Sequence, residues 1–321
     1  MILIIMKCVT FAAWLAVIGC RSEDKPKPPP PPPTDGLELI SAGAPPRQPL
    51  RYRLAPDTRA SIELAVDVDL TTVDGAISLP TIALALDVIT ATVDPDGTGI
   101  VRSVVTGATA RERPGTESVM KLMNRQVALV VGLVQSARLS PTGQLSESKL
   151  EAAGRDLAKP MQEQVSTLAQ ALEGVVMPLP LDPVGVGAAW NYRRTLQLNQ
   201  LTVIATTQVQ VTAIEGDRVS YTSTTQLAGA DQILVQGEAS VQVTGVKGHG
   251  TAQGTADLAK VIVIGEHRAE LGFTMAAGDQ QRPTTMTMTT RTTPATGSPA
   301  VTLEPGSASQ GSDAQGAHKA P

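Results

Sequence analysis

Cysteine is almost missing from the 321-residue chain, which has two, Cys8 and Cys20, both near the amino end. From residue 21 onward there is no thiol, which excludes disulfides, cysteine nucleophiles and thiolate metal sites from the body. Aromatic residues make up only 2%, so the core must be aliphatic. Three histidines occur, His249, His267 and His318, the last in a polar tail, a thin basis for a metal set or a catalytic triad. Neither G-x-S-x-G nor H-E-x-x-H is present, and Gly248, Gly250 and Gly254 lack the strand, turn and helix context of a dinucleotide loop. They read as glycines in a kinked strand. Charged residues are 17%, and 26 basic against 30 acidic side chains give a net charge of −4. That balance offers no broad cationic surface to nucleic-acid phosphates.

What is present begins with an export signal. Residues 1–19 are an apolar run interrupted by Lys7 and ending at Cys20. A start at Met6 places Lys7 in the n-region, and translation is expected to begin there. Val17-Ile18-Gly19-Cys20 resembles the lipobox of bacterial lipoproteins. The resemblance implies cleavage before Cys20, acylation of its thiol and new amine, and attachment to membrane lipid, since several acyl chains anchor where one does not. Arg21, in place of the aspartate that retains lipoproteins at the inner membrane, points to the outer membrane of the bacterial envelope.

Residues 20–36 follow as a tether in which Pro28 to Pro33 are six consecutive prolines, a stiff polyproline II spacer. At the other end, residues 293–321 are rich in Ser, Thr, Ala, Gly and Pro and read as a disordered tail. Between them, 37–292 reads as an α+β body, mostly β, in three parts: 37–113 β, 114–177 helical and 178–292 β. Ala60, Ile62, Leu64, Val66, Val68 and Leu70 alternate with polar or small residues, the period of a strand with one wet face. Asp94-Pro95-Asp96-Gly97 supplies hairpin chemistry before a strand at 100–105. A helix is expected to begin near Thr116 and to give way to strand around 128–139, with Ser140 to Gly143 as a hairpin turn. A second helix is expected over 160–176, where Met161, Val165, Leu168, Leu172 and Val175 form an apolar stripe after Pro160. Further strands are expected at 232–244, 250–264, 269–277 and 283–292. The two β stretches are taken as one curved antiparallel sheet, an open half-barrel, with two or so helices packed on its concave face.

The segments LELISAGAPPRQPLRYRL (37–54) and LPLDPVGVGAAWNYRR (179–194) resemble the framing segments of an uncharacterised bacterial lipoprotein family. That resemblance carries no activity and no functional residues. More loosely, the order of sheet and helix is similar to periplasmic lipoprotein carriers, whose half-barrels cover an apolar cavity.

Several constellations can be weighed from residue type and spacing. Met286-Thr287-Met288, with Met275 or His267, has the softness of a Cu(I) set, but methionines at i and i+2 on a strand also simply fill a core. Asp94 to Gly97 imitates the start of a calcium loop, yet Val105 stands where the closing glutamate belongs. Glu63, Asp67 and Asp69 imitate hydrolytic carboxylates, though alternating acids on a wet strand face are the simpler account. Trp190, Tyr192, Tyr221 and Phe273 are candidates for the floor of a ligand cavity, with core packing as the alternative. Arg193 and Arg194 beside them could meet an anionic headgroup or lie on a solvated edge. Glu266, His267 and Arg268 would point to an enzyme if a pocket gathered them. The expectation is a lipid-anchored envelope protein without cofactor or metal. It is read as binding an apolar ligand or an envelope protein, with a purely structural module as the alternative and a hydrolase as a third reading.

Overall fold

The computed structural model describes residues 36–151, 176–198, 200–236, 239–277 and 280–295. The signal, Cys20, all but the end of the tether, the 160–175 part of the expected second helix and the tail beyond Ala295 lie outside the described residues. Fourteen strands account for most of what is described. They are β1 (Glu38–Ser41), β2 (Arg59–Thr72), β3 (Gly75–Ser78), β4 (Thr81–Val93), β5 (Gly99–Arg111), β6 (Val134–Leu139) and β7 (Leu145–Glu151), then β8 (Ala189–Leu198), β9 (Leu201–Glu215), β10 (Arg218–Ala228), β11 (Gln232–Gln236), β12 (Ala239–Asp257), β13 (Ile262–Ala277) and β14 (Gln280–Pro294). All belong to one sheet in the order β1-β8-β9-β10-β12-β13-β14-β2-β4-β5-β6-β7, with β11 on β12 and β3 on β2. Every pairing is antiparallel, and the sheet ends at β1 and β7 without closing.

Alternation builds this sheet and decides which face is buried. On β2, Ala60, Ile62, Leu64 and Val68 are buried, while Glu63, Asp67 and Asp69 project from the other face. Ile82, Leu84, Leu86 and Val88 on β4 bury the same side. Each such side chain contributes roughly 1.5–3 kcal/mol on leaving water. The two β stretches join through β14 and β2, paired from Thr284 opposite Thr72 to Pro294 opposite Ile62. Ala295 N–H donates to the Ser61 carbonyl, so the sheet runs slightly past residue 292, where the body was expected to end.

The body is mostly β, and the described residues of the part expected to be helical, 114–151, hold two strands beside one short helix. Among the described residues there is a 3-10 turn at Glu117–Val119 and one short α-helix, α1 (Met120–Ala128), which packs on β5. The run from Val127 to Val134 carries both helical and strand periods. Gly132, with φ at 84°, stops the helical one, and β6 and β7 then form a hairpin across Ser140 to Gly143. The strand expected over 250–264 is divided at 258–261, because the Asp257 carboxylate accepts from the Ala259 and Lys260 N–H groups and turns the chain. No helix among the described residues is long and apolar enough to cross a membrane.

The two framing segments meet in space. β1 pairs with β8, Gln48 and Val184 exchange backbone hydrogen bonds, and the Arg51 guanidinium donates to the Leu50, Pro180 and Leu181 carbonyls. Tyr52 Oη donates to the Met177 carbonyl and accepts from the Met177 N–H, and Trp190 Nε1 donates to the Pro178 carbonyl. Residues 176–184 are thereby held as a strap over one end of the concave face.

Candidate functional site

Under the strap the sheet curves around an apolar cavity of about 400 Å³, within the range of roughly 300–1,000 Å³ usual for small-molecule sites. Its walls are the inward side chains of β8, β9, β10, β12, β13, β14, β2 and β4, with Met123, Gln126 and Val130 from α1 and the residue after it, and Val176 and Met177 from the strap.

Register shows why there is space. Gly248, Gly250, Ala252 and Gly254 are successive inward positions of β12, opposite Leu227, Thr225, Ser223 and Tyr221 on β10. On the other side they face Leu271, Ala269, His267 and Gly265 on β13. The floor strand therefore presents one methyl group where four side chains would stand. Close approach of the backbones enforces this: a Cβ at Gly248 would lie 2.1 Å from the Glu270 carbonyl oxygen, and one at Gly265 would lie 2.2 Å from that of Gln253. Only glycine permits that approach, and a sheet so kinked bends around its concave side.

Of the four aromatic candidates, Tyr192 and Tyr221 line the cavity. Trp190 does not. It is fully buried, because the strap covers this end of β8 and the indole bonds to it. Phe273 lies one inward position beyond Leu271 and packs against the core without lining the cavity. The Tyr221 hydroxyl is pushed up to about 12 by burial and by Tyr192 nearby. Burial also raises Tyr52, whose hydroxyl is engaged with Met177.

Arg194 lines the wall with its guanidinium 5.2 Å from the centre of the Tyr192 ring and donates to the Val176 carbonyl at 2.5 Å; Arg193 points outward and is exposed. Thr207 and Thr225 satisfy each other at 2.9 Å. Among the described residues, every fully enclosed side-chain polar atom has a partner. The Tyr192, Tyr221 and Ser223 hydroxyls and the His267 imidazole, which have no hydrogen bond among those residues, open onto the cavity. Burial lowers the pKa of His267 below 6.5, so the ring is neutral at pH 7.

The other constellations come apart or resolve into structural contacts. Met286 and Met288 line the cavity together with Met123 and Met177, whereas Met275 does not. His267 Nε2 leans over Gly250 on β12, the side away from β14, so imidazole and thioethers do not converge as a copper set. No group of three His, Cys, Asp or Glu side chains is gathered among the described residues. Asp94 pairs with Arg138 at 2.6 Å, and Asp96 accepts from the Thr98 N–H inside the β4–β5 hairpin. Glu63 takes a bidentate contact from Arg111, both Asp69 oxygens accept from Arg113 Nη2, and Asp67 pairs with Arg291 at 2.7 Å. Glu266 and His267 both border the cavity, but the Glu266 carboxylate turns to Arg291 and Arg268 is exposed, so the three side chains are not gathered there.

Sequence reading did not single out Ala252, Ser223 or the methionines of α1 and the strap as cavity residues. One signal was available: Gly248, Gly250 and Gly254 share parity, so they fall on one face of a strand. Fold and site together define an open, single-sheet β protein with an apolar cavity in its concave face. The chain matches no protein-family model and no curated protein sequence.

Proposed function

We propose that this chain is an exported bacterial lipoprotein, held at the outer membrane by acylated Cys20, whose concave sheet binds an apolar molecule without transforming it. The cavity carries the ligand part of this reading. Val66, Leu196, Val263, Ala269 and Met288, which are only partly buried, border open volume inside a body whose core side chains are packed. Apolar surface left in water is unfavourable by about 25 cal/mol per Å², and an apolar guest removes it. The apolar run ending in Val17-Ile18-Gly19-Cys20, followed by six prolines as a spacer, supports the anchor. For binding without chemistry, the relevant geometry is that Ser223 and His267 flank Ala252 from different strands with no hydrogen bond between them. A nucleophile and its base must instead stand within about 2.6–3.2 Å.

Full-chain protein purified from bacterial membranes, extracted with organic solvent and assayed by mass spectrometry, tests the reading. The wild type should release about one apolar molecule per chain, and Ala252→Phe, whose ring rises from the cavity floor, should release little. Equal trace recovery from both proteins would exclude the ligand, and an unmodified Cys20 in the intact mass would exclude the anchor. One observation favours a second reading, docking of an envelope protein: Ile233 and Val235 on β11 are each 57% exposed. A single partner crosslinked through β11, with no extracted lipid, would select it.

A further inference from the structure

Of the inward positions of β12, Ala252 borders the cavity, while Gly250 is buried and a Cβ at Gly248 or Gly254 would meet the backbone of β13. Opposite Ala252, on β13, stands the His267 imidazole, which also borders the cavity. A Cβ at Gly250 would lie 3.2 Å from His267 Nε2, so the missing side chain at 250 is what gives the ring its place. Its inward neighbours are Ala252 on β12, Thr290 on β14, and Gly265 and Ala269 on its own strand. Of the acidic and basic groups nearest in sequence, Glu266 borders the cavity but its carboxylate pairs with Arg291, and Arg268 is exposed; the cation on the far wall, Arg194, is held against the Val176 carbonyl.

A neutral imidazole in an apolar wall offers one donor and one acceptor. A bare hydrocarbon would leave both unsatisfied, and a carboxylate or phosphate beside it would lose hydration without a compensating charge. We propose that His267 is the specificity residue of the cavity, and that the ligand is an apolar molecule bearing a neutral hydroxyl or ester group that hydrogen-bonds to the imidazole. This rests on the cavity being an apolar ligand site.

The test is displacement of the fluorophore N-phenyl-1-naphthylamine from full-chain protein at pH 7.5 by 1-dodecanol and by dodecane. The wild type should prefer the alcohol about three- to tenfold, the worth of one net hydrogen bond. His267→Leu should bind fluorophore and both competitors with no preference, and His267→Gln, which keeps a donor and an acceptor, should retain it. No preference in the wild type, or an equal preference in His267→Leu, overturns the assignment of His267 while the apolar site stands. A wild type that takes up no fluorophore overturns the apolar site and this assignment with it.

Discussion

The two faces of β12, β13, β14 and β2 are built from alternate residues of the same strands and have opposite chemistry. Inward stand Gly248, Gly250, Ala252, Ala269 and Leu271, of which the last three border the apolar cavity. Outward stand Glu266, Arg291 and Asp67, joined as Glu266–Arg291–Asp67 across β13, β14 and β2, with Arg113 and Arg111 closing on Asp69 and Glu63 beside them. Strand period alone separates them, so one stretch of chain serves solubility on one side and cavity volume on the other. A further contrast lies along the inner face. Under the strap, Trp190 is sealed by packing, while at the next two inward positions Tyr192 and Arg194 border open space.

The largest effect should come from the sealed end. Trp190→Ala removes a fully buried indole and its hydrogen bond to Pro178 and should lower the free energy of unfolding by about 3–5 kcal/mol, measured by urea denaturation. A loss below about 1 kcal/mol would mean that this end is as open as the cavity. Next comes the groove floor. Gly248→Val forces a side chain against the Glu270 carbonyl and should cost about 1–3 kcal/mol. Ala252→Leu, pointing into free volume, should change stability by less than about 1 kcal/mol while blocking fluorophore uptake. Similar losses for the two would deny that the floor is empty.

Smaller effects should appear with pH and salt. Burial lowers His267 below 6.5 in the folded chain, so the unfolded chain takes up the proton first. The corresponding stability is intact above pH 6.5 and is lost as pH falls from there through the lowered value. The urea midpoint of wild type should therefore fall relative to that of His267→Leu on acidification from pH 7.5 to 5. A constant difference between them would place His267 in water. Smallest of all, Arg291→Ala should cost about 1 kcal/mol, since the guanidinium is about half exposed although Asp67 is only 14% exposed, and less still in 1 M salt. For Asp67, burial raises the carboxyl, but hydrogen bonds from Thr81 and Arg291 outweigh it and hold it below 3.8. Its contribution is present above pH 3.8 and lost as pH falls through the lowered value, and Arg291→Ala should move that acid transition upward.

Much of the sheet was legible because its signals are local. The alternation from Ala60 to Leu70, the Asp94 to Gly97 hairpin and the turn at Ser140 to Gly143 each depend on neighbours a few residues away. What was not legible depends on distant parts. Nothing near Trp190 says that residues 176–184 will cover it, which is why it read as a cavity floor beside Tyr192. The turn at 258–261 hides in an apolar run because its cause is one carboxylate, Asp257, bonding two N–H groups ahead. The parity of Gly248, Gly250 and Gly254 was visible, but their meaning needed the pairing of β14 with β2, some two hundred residues apart, which turns that face inward.

The claim that a greasy guest lies in the concave face is tested most directly by diffraction from full-chain crystals soaked with 1-bromododecane. A bromine anomalous peak inside the concavity, between Tyr221, Ala252 and His267, is the expected result. Intact crystals with no bromine there, or bromine only on the outer face, would contradict it.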